Sequence, residues 1–279
     1  IRIERNESMG LVYAIANQKG GVGKTTTVVN LAAYFGARGK RVLCIDIDPQ
    51  GNTTTGLGIK KRSLTASSYH VLNGSAKIAD VIQQTEYENV SIVPARDELA
   101  GCELELSQME YRATRLRMQL LTCKADYDYI FIDCPPALGL LTLNGLAAAD
   151  EIIVPMTAEF YALEGLSQLM TTMKAVRANL NPSLKIAGIL FVMFDPRLNV
   201  SRQVEEEVAK YFPNQIFRTK IPRNVRLSEA PSYGKPVMYY DKNSKGAEAY
   251  AELGMELLGE TPPPKEKKRF QLFHRKNKN

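Results

Sequence analysis

Leu11-Val12-Tyr13-Ala14-Ile15-Ala16-Asn17-Gln18-Lys19-Gly20-Gly21-Val22-Gly23-Lys24-Thr25-Thr26 decides the fold. An apolar strand-like run, 11–17, feeds a glycine loop, and the loop opens a helical stretch that runs to about Arg38. Glycines let backbone N–H groups converge on phosphate oxygens, and the start of a helix adds the positive end of its dipole. Lys24 supplies a point charge for the β- and γ-phosphates, and Thr25 a hydroxyl suited to Mg²⁺. The stretch therefore reads as a nucleotide cradle made of Lys19, Gly20, Gly21, Val22, Gly23, Lys24, Thr25 and Thr26. A plain glycine-rich turn with nearby lysines would not need a strand before it and a helix after it.

Outward from the loop, apolar runs recur at 41–47, 89–95, 127–134, 151–155 and 184–194. Amphipathic segments lie near 99–123, 161–179, 200–211 and 244–258. Strands that are apolar throughout and alternate with helices predict an α/β fold, a mostly parallel twisted sheet with helices on both faces. The expected organisation is one domain over 9–260, with 1–8 a leader or extension before Met9 and 261–279 a basic, flexible tail. Strand 41–47 carries Asp46 and Asp48 in CIDIDPQGN, and alternation puts both on one face, beside the loop if the two strands are neighbours. Strand 127–134 ends in Asp133, where a carboxylate can hold Mg²⁺. An aspartate at a strand end is often only a turn former. Three of them in one chain with a phosphate loop argue for chemistry.

Composition removes other classes. The 279 residues are 44% hydrophobic and 24% charged, ordinary for a globular chain. Cys44, Cys102, Cys123 and Cys134 form no CxxC pair, and His70 and His274 are the only histidines, so zinc or iron–sulfur ligation has little to work with. Scattered thiols suit a reducing cytosol. The most apolar stretch, 137–149, is shorter than the roughly 18 residues of a membrane span. The net charge of +6 sits in the tail: residues 261–279 hold seven of the 36 Lys/Arg and one of the 30 Asp/Glu, leaving 29 of each elsewhere. Any nucleic-acid surface on the body must be a local patch. The guanine-reading N/TKxD element is absent, since Thr219-Lys220-Ile221-Pro222 lacks the acid, and adenine is favoured.

The loop departs from GxxxxGK[ST], with Gln18 in place of the first glycine and Lys19 after it. In this it resembles the deviant Walker A box of the ParA/MinD group of P-loop ATPases, and the expected architecture is their three-layer P-loop NTPase fold. DIDPQGN (46–52), FIDCPP (131–136), LGLLTLNGL (138–146), EFYALEGLSQL (159–169), IPRNVRLSEAPSYGKPV (221–237) and YDKNSKGAEAY (240–250) extend the likeness to chromosomal Soj/ParA partition ATPases across most of 10–258. The resemblance implies a slow, Mg²⁺-dependent, partner-stimulated ATP hydrolase that pairs as an ATP-sandwich homodimer. Lys19 would then reach the partner's phosphates, Lys24 would act within its own subunit, and Asp48 would position the attacking water. Asp46 would support the metal held by Thr25 and Asp133, and Pro222 and Asn224 would lie against the base. The resemblance further implies nonspecific double-stranded DNA binding through Arg197 and Arg226, a ParB/Spo0J-type centromere-binding partner, and a cytoplasmic, nucleoid-associated location. Eight residues before Met9 are too few for the helix-turn-helix domain of larger plasmid ParA proteins. Two features depart from the family: Met156-Thr157-Ala158, which has no functional reading, and the tail KEKKRFQLFHRKNKN (265–279). Phe270, Leu272 and Phe273 leave three readings of that tail: a solvated end, an extra DNA contact, or a weak membrane anchor. The anchor belongs to the alternative reading, a MinD-like membrane-associated division-site ATPase.

Overall fold

A computed structural model describes residues 10–261. The expectations for residues 1–9 and for the tail beyond Thr261 lie outside the described residues. Among the described residues eight strands form one sheet: β1 (Leu11–Ile15), β2 (Val42–Asp46), β3 (Gln83–Gln84), β4 (Val90–Val93), β5 (Tyr129–Asp133), β6 (Glu151–Thr157), β7 (Lys185–Phe194) and β8 (Ile221–Pro222). Their order is β3-β4-β2-β5-β1-β6-β7-β8, and only the short β3 pairs antiparallel. The expected mostly parallel sheet with helices is therefore present.

Alternation along β1 shows why the strands are apolar throughout. Val12, Ala14 and Ala16 enter one core with the helices Leu140–Ala148, Ala162–Asn179 and Asn199–Tyr211. Tyr13 and Ile15 enter the other core, with the helices Lys24–Ala37 and Lys245–Leu258. A strand between two helical layers buries both faces, so a two-residue period leaves no polar side. On the second face Tyr13 stacks on Phe131 at 5.7 Å, and Phe35 meets Phe131 edge-on at 5.5 Å.

Two points that the sequence leaves open are settled here. β1 and β2 are not neighbours, because β5 lies between them; Asp46 pairs in register with Asp133, and Asp133 with Ile15. The amphipathic stretch 99–123 is not one helix but a 3₁₀ turn and two short helices, Cys102–Ser107 and Arg115–Leu120. The buried Asn144 fixes that break. Its amide donates to the Arg112 carbonyl at 2.7 Å, and its Oδ1 accepts from Leu116 N at 3.2 Å.

Candidate active site

The loop between β1 and the helix Lys24–Ala37 is shaped by Gly21 and Gly23, whose φ angles of 71° and 75° lie where a side chain is strained. Val22 between them is buried and anchors the turn. No side chain caps the helix that follows, so its first N–H groups remain available to an anion. The loop floors a cavity of about 610 Å³ lined by Gly20, Gly21, Gly23, Lys24, Thr25 and Thr26 on one side. Asp48, Gln50 and Asn52 line a second side, and Pro222, Arg223 and Asn224 a third.

Lys24 is 6% exposed, and its ammonium donates to the Lys19 carbonyl at 3.1 Å. Burial pulls its pKa down, against the opposing charges of Asp133 and Asp48. A lysine buried this deeply at the loop is held ready for a strong anion.

Asp133, at the end of β5, is fully buried. Its Oδ2 accepts from Thr25 Oγ1 at 2.7 Å and from Thr53 Oγ1 at 2.7 Å, while Oδ1 has no hydrogen-bond partner among the described residues. Burial pushes its carboxyl above the usual range. An orphaned buried carboxylate oxygen beside a loop hydroxyl fits a divalent cation that takes its remaining ligands from phosphate and water. Among the described residues no group of three His, Cys, Asp or Glu could hold a metal by itself. The donor set suits Mg²⁺ carried in with a nucleotide.

The two aspartates of the β2 end part company. Asp46 Oδ2 accepts from Thr54 N at 2.8 Å and Thr54 Oγ1 at 2.7 Å, and Oδ1 accepts from Asp48 N at 3.2 Å. Burial and then the neighbouring Asp133 charge raise its carboxyl. Asp46 therefore shapes the turn, and Asp48 is the one that lines the cavity. Asn224 caps the helix Val225–Glu229 by accepting from Arg226 N at 3.0 Å. That leaves its amide nitrogen as the donor.

Lys19 goes the other way from Lys24. Its ammonium donates to Glu159 Oε2 at 2.7 Å, with side-chain exposures of 39% and 58%. That hydrogen bond, and more weakly the charge of Arg223, hold the Glu159 carboxyl below its ordinary value. Arg197 and Arg226 also stand outside the cavity. Arg197, 86% exposed, pairs with Asp195 at 2.7 Å and keeps that carboxyl at about 2. Arg226 pairs with Glu229 at 2.8 Å and Asp241 at 3.2 Å.

Sequence reasoning missed Thr53, Gln50, Asn52, Arg223 and Met193. Gln50, Asn52 and Arg223 lie inside the DIDPQGN and IPRN stretches and could have been named from them. Met193 lines the cavity with φ 50° at the register shift between Val192 and Phe194, and no motif marks it. The four cysteines are free and buried. Among the described residues no helix is long and apolar enough to cross a membrane.

Residues 10–186 match a family model described as an AAA domain. The chain is 53% identical over 249 residues to the sporulation initiation inhibitor protein Soj of Bacillus subtilis, covering 89% of this chain and 98% of that one. It is 50% identical over 262 residues to the chromosome partitioning protein ParA of Myxococcus xanthus, covering 94% and 93%. Among solved structures it is similar to a cobyrinic acid a,c-diamide synthase of Mycobacterium smegmatis with bound ADP and magnesium. There the identity is 38%, the TM-score 0.78 and the coverage 90% and 94%. It is also similar to the septum site-determining protein MinD of Pyrococcus horikoshii complexed with Mg-ADP, with 28% identity, TM-score 0.74 and coverage of 89% and 96%. With a P-loop cavity of this form and half of its residues shared with those two relatives over most of its length, the chain belongs to the Soj/ParA family.

Proposed function

We propose that this protein is an ATP hydrolase of chromosome or plasmid partition that pairs on ATP, binds DNA nonspecifically as the pair, and is reset with the help of a ParB-type partner. One observation carries the reading: a single phosphate loop presents one lysine to the cavity and a second, partly exposed, to a surface carboxylate. Lys24 is buried at the cavity floor, and Lys19 is held at the surface by Glu159. A loop that enclosed its nucleotide alone would have no use for the second cation. Offered to a neighbouring copy, it neutralises phosphate charge where that charge is densest.

In this reading ATP lies along 20–26 with its base toward Pro222 and Asn224. Thr25 and Asp133 would hold Mg²⁺, which would supply charge neutralisation to the triphosphate. Lys24 stays on its own subunit's phosphates. Lys19 leaves Glu159 for the partner's, so pairing depends on the γ-phosphate being in place. Asp48 orients the attacking water, the bond from the γ-phosphorus to its bridging oxygen breaks, and loss of phosphate removes the charge that held the pair. Pairing doubles a DNA patch containing Arg197 and Arg226, and a second linked contact benefits from high effective concentration. Phosphate contacts carry no sequence information, which suits movement over a whole nucleoid. Family membership, with relatives named for partition, supports this reading over a division-site role. The membrane reading rests on the tail, outside the described residues.

The test is DNA retardation with ATP, with ADP and without nucleotide over a salt series. Retardation that requires ATP and weakens steeply with salt is expected. Equal retardation in all three states would overturn the proposal.

A further inference from the structure

We propose that Thr53 is the positioning residue that fixes the Asp133 carboxylate for the cation and ties it to the segment carrying Asp48. The inference rests on the reading of the cavity as a Mg²⁺–ATP site. Thr53 is fully buried, and its hydroxyl donates to Asp133 Oδ2 at 2.7 Å. A threonine on a helix can satisfy its hydroxyl on a local carbonyl, as the exposed Thr55 on the same helix does on Gly51 at 3.2 Å. Thr53 instead reaches 80 residues along the chain to β5. Two hydroxyls share that carboxylate oxygen, and Thr25 belongs to the phosphate loop, where its hydroxyl serves the cation. Thr53 has no such second duty. It is the donor that keeps Asp133 oriented, with Oδ1 left open, when Thr25 turns to its ligand.

The surroundings make this hydrogen bond a link between two halves of the site. Gly51, at φ 58°, donates its N–H to the Asp48 carbonyl at 2.9 Å and starts the helix Asn52–Gly56. Thr54, next along, holds Asp46 on β2 and accepts from Ala95 N at 2.8 Å after β4. Residues 48–54 are thus pinned by adjacent threonines to two strands of the sheet and to the segment after a third, and the pin at Thr53 is the one that ends on the open carboxylate. Removing such an outer partner typically weakens metal affinity about 10–100-fold.

The experiment titrates MgCl₂ against binding of a fluorescent ATP analogue by the full chain. Variants are Thr53→Val, which keeps shape and loses the hydroxyl, and Thr53→Ser, which keeps the hydroxyl. Half-saturating Mg²⁺ should rise about 10–100-fold in Thr53→Val and stay near wild type in Thr53→Ser. Hydrogen exchange supplies a second readout: Mg²⁺ and ATP should protect the amides of 48–54 in wild type and Thr53→Ser, and fail to do so in Thr53→Val. An unchanged Mg²⁺ midpoint in Thr53→Val, or equal loss in Thr53→Ser, overturns the proposal. If Thr53→Val does not fold, Thr53→Ala takes its place; if neither folds, the hydroxyl is a stability element and the proposal falls. Nucleotide binding by wild type that ignores Mg²⁺ would instead sink the underlying site reading.

Discussion

Glu159→Gln is the sharpest perturbation of the scheme, because it should strengthen pairing by removing an ion pair. The glutamine keeps the acceptor oxygen and the shape and removes only the charge that holds Lys19 at 2.7 Å. With side chains 39% and 58% exposed, the pair is a surface ion pair, which stabilises by about 0.2–1 kcal/mol. Pairing breaks this interaction once in each of two copies, so the free-energy difference is about 0.4–2 kcal/mol. At about 1.4 kcal/mol per decade, the pair's dissociation constant should fall about 2–30-fold. The assay is sedimentation velocity with ATP and Mg²⁺ in an Asp48→Ala background, which stops turnover from resetting the equilibrium. The gain should fade toward 1 M salt, where the screening length is about 3 Å. Unchanged pairing would show that Glu159 does not restrain Lys19. Weaker pairing would show that Glu159 serves the interface itself, and the parked-lysine reasoning would be refuted.

Other outcomes follow from the same geometry. Asp48→Ala should remain paired and DNA-bound with ATP while phosphate release stops; a monomer under those conditions would remove Asp48 from its place on the water. Arg197→Glu and Arg226→Glu should each weaken DNA retardation and lower the salt slope by about one for every phosphate no longer engaged. Asp195→Asn and Glu229→Gln, which free those guanidinium groups, should tighten it. DNA affinity indifferent to all four would move the patch elsewhere. Asp133 has a folded-state pKa raised above the unfolded value of about 3.9, so the folded state binds its proton more readily. Its contribution to nucleotide-free stability is therefore present at low pH and fades as pH rises from about 4 through the folded value. The stability difference between Asp133→Asn and wild type, from thermal unfolding without nucleotide, should shift in favour of the variant across that window. A difference flat with pH would contradict the burial argument.

The fold was legible where a local pattern dictates it. The strand–loop–helix at 11–38 and the six long apolar runs all appear, because buried parallel strands carry their signature in composition alone. β3 and β8 were invisible: two residues hold no periodicity, and their pairing depends on which neighbour the chain brings alongside. Sheet order is likewise non-local: β5 lies between β1 and β2, and so Asp46 pairs in register with Asp133 and not with a residue of β1. The site followed the same rule. Lys24, Thr25, Asp48 and Asp133 stood in recognisable spacing, and the structure gathers them at or beneath one cavity. Alternation grouped Asp46 with Asp48, and it could not show that Thr54 would capture Asp46 while Asp48 lines the cavity. Thr53 carried no signal, because its meaning lies in a hydrogen bond to β5. The ion pair of Arg226 with Asp241 was likewise out of reach of the sequence, because folding brings the two together.

The most direct measurement is the structure of the Asp48→Ala protein with ATP and Mg²⁺. The account predicts two copies facing each other, Lys19 withdrawn from its own Glu159, and its ammonium on the terminal phosphate bound by the other copy. Lys19 still seated on its own Glu159, with each ATP closed in by one subunit, would contradict it.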